Sequence, residues 1–304
     1  CYRDGRPGYV AALAATLDGR RLEGLSVVAD CAHGAACSVA PEALAALGVD
    51  LTAINDRPDG VNINEGAGSN YPAGLAAEVV ARGADVGLAF DGDADRVVAV
   101  DASGNLVDGD QLLALCAVDR RDRGLLAEDT VVATVMANLG FRRAMADHKI
   151  AVVETQVGDR YVLDALESGG WSLGGEQSGH VIFRDLATTG DGVLSGLQVL
   201  DVMARTGRPL AELAQVMTRL PQVLRNVAVA DRAGLSGAAS FWSELEAVRH
   251  RLGADGRVLV RPSGTEPVVR VMVEALTADS AESACTELCD ALVRALGAAD
   301  PVSH

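Results

Sequence analysis

Short apolar runs alternate with helix-forming stretches along most of this chain, and that alternation limits the fold more than any other feature. Residues 26–30 read as a strand, 38–47 as a helix stopped by Gly48, and 49–55 as a second strand. A loop rich in Gly, Asn and Asp covers 56–70. A helix over 72–82, a buried strand over 85–90, a hairpin over 96–106 turning at Ser103 and Gly104, and a helix over 109–118 complete a first unit. The alternation then starts again: strand 130–135, helix 138–147, strand 150–155, helix 160–167 and a last helix over 210–218, with Pro221 as a breaker. The final section differs, reading strand 222–228, helix 239–252, strands 257–261 and 268–274, and helix 281–296.

Strand–helix alternation of this kind predicts an α/β class: two mixed-sheet α/β domains covered by helices, plus a smaller C-terminal α+β domain. The charged stretch 119–123 and the region of Pro221 mark the expected boundaries, giving domains 1–121, 122–220 and 221–304. That is one more domain than the 304-residue length suggests at ~150 residues each. The formal net charge of -16 repels nucleic acid and anionic membranes at long range, so neither is an expected partner. Any phosphorylated ligand must therefore meet a local concentration of positive charge. No apolar run approaches the ~20 residues of a spanning helix. The first residues carry Arg3, Asp4 and Arg6 and no apolar core, so a signal peptide is not expected and the cytoplasm is. None of the six cysteines forms a Cys-x-x-Cys pair, which fits reduced thiols.

Three polar segments interrupt this pattern. The first follows the buried strand: Asp91, Asp93 and Asp95 alternate through a short loop that ends at Arg96. In an extended or gently curved loop they point the same way, and three like charges so close need a cation. Hard oxygen donors at the end of a strand suit Mg²⁺. An EF-hand would need Gly and Glu at loop positions occupied here by Arg96 and Ala102. A phosphatase loop using Asp91 as nucleophile fits in part, since Asp91 and Asp93 match the Asp-x-Asp pattern.

The second segment is Gly174-Gly-Glu-Gln-Ser-Gly-His180. If extended, it puts Glu176, Ser178 and His180 on one face, a set suited to a polyol, with His180 able to orient a phosphate or carry a proton. The third is Arg261-Pro-Ser-Gly-Thr-Glu-Pro267, followed by Arg270. Guanidinium, hydroxyls and an open backbone make a phosphate cradle.

In this order the three segments resemble the α-D-phosphohexomutase family, and the stretches 58–64, 155–162, 174–180 and 188–192 resemble its phosphoglucosamine mutase branch. The resemblance implies that Asp91, Asp93 and Asp95 hold Mg²⁺ and that Arg96 lies beside the transferring phosphoryl group. Arg96 and His180 are then the expected catalytic residues. Glu176 and Ser178 contact sugar hydroxyls, and Arg160 helps to position the substrate. Arg261, Ser263, Gly264, Thr265 and Arg270 grip the phosphate that is not transferred. The implied substrate is a phosphorylated amino sugar, and the reaction interconverts glucosamine-6-phosphate and glucosamine-1-phosphate through a bisphosphate. A homodimer stays open.

The chain departs from the family at Ala94, where many relatives have Gly, and at Gln156, where many have Lys. Family members also carry a first domain whose Ser-His-Asn serine is phosphorylated, and that tripeptide does not occur here. The chain is thus expected to lack the phosphoserine domain and to be inactive alone. Phosphomannomutase/phosphoglucomutase activity and a silent sugar-phosphate-binding fragment are the alternatives.

Overall fold

The apolar run ahead of the acidic segment forms strand Val86–Phe90, buried at all five positions, as befits a strand covered on both faces. The computed structural model describes residues 4–231, 233–263 and 268–297. In chain order its elements are α1 (Arg6–Ala15), β1 (Ser26–Asp30), α2 (Ala40–Ala46), β2 (Asp50–Ile54), α3 (Ala73–Arg82), β3 (Val86–Phe90), β4 (Val97–Asp101), β5 (Leu106–Val107) and α4 (Gly109–Asp122). Then follow β6 (Thr130–Thr134), α5 (Leu139–Asp147), β7 (Ala151–Thr155), α6 (Asp159–Gly169), β8 (Leu173–Gly175), β9 (Val181–Phe183), α7 (Gly192–Thr206) and α8 (Leu210–Leu213). The last elements are β10 (Gln222–Ala228), α9 (Ala239–Leu252), β11 (Arg257–Pro262), β12 (Val268–Glu274) and α10 (Ala278–Leu296).

The residues fall into two compact units, 1–137 with 141–218, and 138–140 with 219–304. The first unit holds two mixed sheets, in order β2-β1-β3-β4-β5 and β7-β6-β8-β9. In the larger sheet β1 runs parallel to β2 and β3, and the β3–β4 and β4–β5 pairs are antiparallel. Helices α4 and α7 pack on each other, and each touches strands of both sheets. One continuous core therefore joins the sheets, with Leu88, Phe90, Leu113, Phe141, Leu173 and Leu197 all inside it. In the second unit the antiparallel sheet β10-β12-β11 packs against α9 and α10, through Phe241, Leu245, Val271 and Leu288 among others. The fold class read from the sequence is the one observed.

Three local readings differ. The helix read over 109–118 runs on through the charged stretch to Asp122, with Arg120 buried against Asp185 at 2.5 Å and Asp119 paired with Arg205 at 2.7 Å. The helix read over 38–47 divides into a 3₁₀ turn, Ala35–Ser38, and α2, which restarts with Pro41 in its first turn, where a missing N–H costs nothing. Helix α7 has no counterpart in the sequence reading, and its residues 192–203 are buried on every side. Its ends were marked all the same. The Asp191 carboxylate accepts from Leu194 N at 2.9 Å, and Gly207 turns left-handed at φ 66.

Around the end of β3 the connecting loops are tied together by a buried carboxylate. Asp30, 1% exposed, accepts from Ala32 N and from Gly68 N, both at 2.9 Å. Gly68 has φ +74, and a Cβ there would stand 2.4 Å from Phe90 O, so the 62–70 loop can approach β3 only with glycine. Ser69 N and Ala35 N then donate to Phe90 O and Gly92 O, each at 2.8 Å. No helix among the described residues is long and apolar enough to cross a membrane. The five described cysteines are unbridged.

Asp30→Ala orphans two buried amides and should lower unfolding free energy by about 3 kcal/mol, read from the denaturant midpoint. Ala94 adopts φ 62, in the region that disfavours any side chain. Ala94→Gly should therefore raise stability by about 1 kcal/mol, the left-handed penalty less the entropy of glycine. An unchanged or lower midpoint would show that the loop carries no such strain.

Candidate active site

The acidic segment is the connection between β3 and β4. It is a tight turn rather than a gently curved loop: Ala94 N donates to Asp91 O at 3.1 Å, and the left-handed Ala94 reverses the chain. The turn brings carboxylate oxygens of Asp91, Asp93 and Asp95 within 4.8 Å of one another. Asp91 is buried, Asp95 half-buried and Asp93 exposed. An octahedral ion with ~2.1 Å bonds sets its oxygens about 3 to 4 Å apart, so a slight contraction of this set suits Mg²⁺.

Arg96 already balances part of this charge. Its backbone N–H and its Nε both donate to Asp91, at 3.1 and 2.6 Å, and Nε also reaches Asp95 at 3.4 Å. Burial works against the guanidinium charge, but Asp91 and Asp95 outweigh it and hold its pKa above the ordinary value. With both oxygens engaged and the side chain 1% exposed, Asp91 is poorly placed to attack a substrate phosphorus.

The second segment connects β8 and β9. It too is a turn rather than an extended run: Gly179 N donates to Glu176 O at 3.0 Å, Glu176 N donates to His180 O at 2.9 Å, and Gly179 has φ 94. The expected shared face is therefore broken, with Ser178 exposed and His180 buried. Glu176 Oε1 accepts from Gly158 N at 3.0 Å, which ties the turn to the start of α6. Arg160 lies two residues further on, 85% exposed and 3.7 Å from Asp164. A pairing this exposed contributes little to stability and leaves the side chain mobile enough to meet a ligand.

The two turns meet directly. Val97 N donates to Gly179 O at 3.1 Å, and a Cβ on Gly179 would lie 2.1 Å from Val97 O. Gly109 N donates to Gln177 O at 3.1 Å, and a Cβ there would stand 2.4 Å from Glu176 O. From below, Gly192 N donates to Ala94 O at 2.9 Å. His180 Nδ1 lies 3.1 Å from Asp95 Oδ2. The structure thus brings Asp91, Asp93, Asp95, Arg96, Glu176, Ser178 and His180 into one neighbourhood of the first unit. The glycines at 109, 190 and 192 were missed as site residues, because they bear no chemistry of their own. The segment 188–192 marked Gly190 and Gly192, and nothing marked Gly109.

Arg261, Ser263 and Arg270 belong to the second unit. Arg261 and Arg270 stand directly opposite each other on the antiparallel pair β11–β12. Like charges in that position repel. Burial and then the Arg270 charge push the Arg261 pKa down, an electrostatic cost that a bound anion would reverse. Ser263 is buried, and its N–H donates to Val268 O at 2.9 Å, closing the base of the loop. Gly264 and Thr265 lie outside the described residues.

Three family models of phosphoglucomutase/phosphomannomutase match the chain: alpha/beta/alpha domain II at residues 7–104, alpha/beta/alpha domain III at 108–220 and the C-terminal domain at 224–291. Among curated relatives, phosphoglucosamine mutase of Acidothermus cellulolyticus is 58% identical over 276 residues, covering 91% of this chain and 60% of the relative. That of Leifsonia xyli is 54% identical over 290 residues, covering 95% and 64%. The chain spans about 60 to 65% of the length of the curated relatives it matches. A phosphoglucomutase/phosphomannomutase family protein from Burkholderia thailandensis superposes with a TM-score of 0.78 at 25% identity, covering 96% of this chain and 65% of that one. Aspergillus fumigatus N-acetylphosphoglucosamine mutase, solved with GlcNAc-6P and magnesium, has the same fold, with a TM-score of 0.78 at 24% identity over 95% of this chain and 66% of that one. With matches from residue 7 to residue 291, the chain belongs to the phosphoglucomutase/phosphomannomutase family of α-D-phosphohexomutases.

Proposed function

We propose that this chain provides the metal, sugar and phosphate subsites of a phosphoglucosamine mutase, interconverting glucosamine-6-phosphate and glucosamine-1-phosphate. The observation that carries this reading is the interlock of the acidic turn with the Gly-Glu-Gln-Ser-Gly-His turn. It sets a carboxylate cluster beside a carboxylate and a hydroxyl of the kind a polyol can hydrogen-bond. Relatives named phosphoglucosamine mutase at 53 to 58% identity support the choice of an amino sugar. We read the chain as three domains, 1–121, 122–220 and 221–304, working in the cytoplasm.

Asp91, Asp93 and Asp95 would hold Mg²⁺, which when bound supplies positive charge to a phosphoryl group in transfer. Arg96 sits within the same cluster, so its guanidinium is poised to donate to the phosphoryl oxygens. Glu176 and Ser178 take the sugar hydroxyls, and Arg160 reaches the substrate from the start of α6. Arg261 and Arg270, with Ser263, Gly264 and Thr265, hold the phosphate that stays. Transfer needs a phosphoryl donor in line with the acceptor hydroxyl. The family's Ser-His-Asn donor is absent from these 304 residues, so this chain by itself binds substrate without turning it over.

Titration calorimetry with Mg²⁺ tests the substrate: glucosamine-6-phosphate should bind more tightly than glucose- or mannose-6-phosphate, with no isomerisation and no release of inorganic phosphate. Preference for glucose or mannose moves the assignment to phosphoglucomutase/phosphomannomutase, and phosphate release would point to a phosphatase. Asp93→Ala should abolish measurable Mg²⁺ binding with circular dichroism and melting temperature unchanged, since Asp93 is exposed. Arg261→Ala should weaken phosphosugar binding about tenfold or more, the worth of a charge-assisted contact. Equal affinity would remove Arg261 from the clamp.

A further inference from the structure

Residues 190–192 lead into α7 and lie against both turns. A Cβ at Gly190 would stand 2.2 to 2.6 Å from three atoms of the His180 ring. Gly192 N donates to Ala94 O at 2.9 Å, and a Cβ at Gly192 would stand 2.4 Å from Arg96 O. The bond to Ala94 falls at the chain reversal between Asp93 and Asp95. The two glycines allow this close contact but have no side chains with which to hold the segment in place. Asp191, between them, supplies the hold. One of its oxygens accepts from Leu194 N at 2.9 Å and caps α7, and the other accepts from Tyr9 Oη at 2.7 Å.

Tyr9 is a half-buried residue of α1. Burial, and then the charge and hydrogen bond of Asp191, push its pKa up, so the phenol keeps its proton for that bond. Helix α1 does not depend on this bond for its seat. Val10 and Leu13 are buried in the core, Gln198 Nε2 donates to Thr16 Oγ1 at 3.1 Å, and Arg20 reaches Asp201 at 2.7 and 3.1 Å. What the Tyr9 hydroxyl fixes is the residue that precedes Gly192.

We infer that Tyr9 is a positioning residue of the metal site: through Asp191 it fixes Gly192, which holds the reversal between Asp93 and Asp95 and with it the spacing of the carboxylates. This rests on reading Asp91, Asp93 and Asp95 as the metal ligands.

The test is Mn²⁺ binding to the 304-residue chain, followed by electron paramagnetic resonance, with Mn²⁺ standing in for Mg²⁺ on carboxylate oxygens. Outer contacts that orient a metal's ligands set affinity by about tenfold to a hundredfold, and Tyr9→Phe should weaken Mn²⁺ by about tenfold. Asp191→Ser keeps a capping oxygen but is too short to reach Tyr9, so it should show the same loss. Asp191→Asn can keep both contacts and should retain most of the affinity. Combining Tyr9→Phe with Asp191→Ser should add no further loss, because both break one link. Thr16→Val removes a different hydrogen bond between α1 and α7, about two helical turns from Tyr9. It should keep the parental affinity even where its melting temperature falls as far as that of Tyr9→Phe. Parental Mn²⁺ affinity in Tyr9→Phe, a full loss in Asp191→Asn, additive losses in the double variant, or an equal loss in Thr16→Val each overturns the inference while leaving the metal site standing. Absence from the parent chain of Mn²⁺ binding that Asp93→Ala abolishes overturns the metal site, and this role with it.

Discussion

Everything proposed for the first unit depends on two chain reversals from different sheets coming close enough for backbone to touch backbone. The connection of β8 and β9 lies against Val97, at the start of β4, and against Gly109, at the start of α4. A methyl group at Gly179 or Gly109 would stand 2.1 or 2.4 Å from a carbonyl oxygen of the facing segment. Such spacing admits hydrogen only. Carboxylates from one sheet and polar groups from the other can share a neighbourhood because these positions have no side chains.

The close approach is held by a layer common to both sheets. Helices α4 and α7 pack on each other and touch strands on either side, and residues 192–203 of α7 are buried throughout. A shift of one sheet against the other would disturb a continuous, close-packed interior, which resists displacement. The start of each helix lies at these turns: Gly109 begins α4 against the turn between β8 and β9, and Gly192 begins α7 against the acidic turn. The helices that seal the core are thus also what fixes the two turns.

Charge is handled differently in the two units. In the first, three carboxylates are partly offset by Arg96 and bridged to a buried imidazole. In the second, Arg261 and Arg270 are set opposite each other across a strand pair, and the Arg261 guanidinium is destabilised for it. One arrangement gathers negative charge, the other positive. An overall charge of -16 says nothing of either.

By itself, the order of residues determined most of the strands, though not β8 and β9, most helices, the α/β class and the three polar segments, because periodicity and turn chemistry are local. Strand β3 could be recognised as continuous apolar residues, and the three aspartates as a charge cluster in need of a cation. The burial of helix α7 on all sides could not, because Ser195, Gln198 and Asp201 recur along it at the spacing of a polar, solvent-facing stripe. Nor could the close approach at Gly109, Gly179 and Gly192, since a glycine reads the same in a loose loop as against a carbonyl oxygen. Tertiary packing alone decided that His180 turns inward to Asp95 while Ser178 stays in solvent. Two residues of one turn part company when the chain reverses between them, and alternation along the sequence assumes an extended backbone that the fold does not provide.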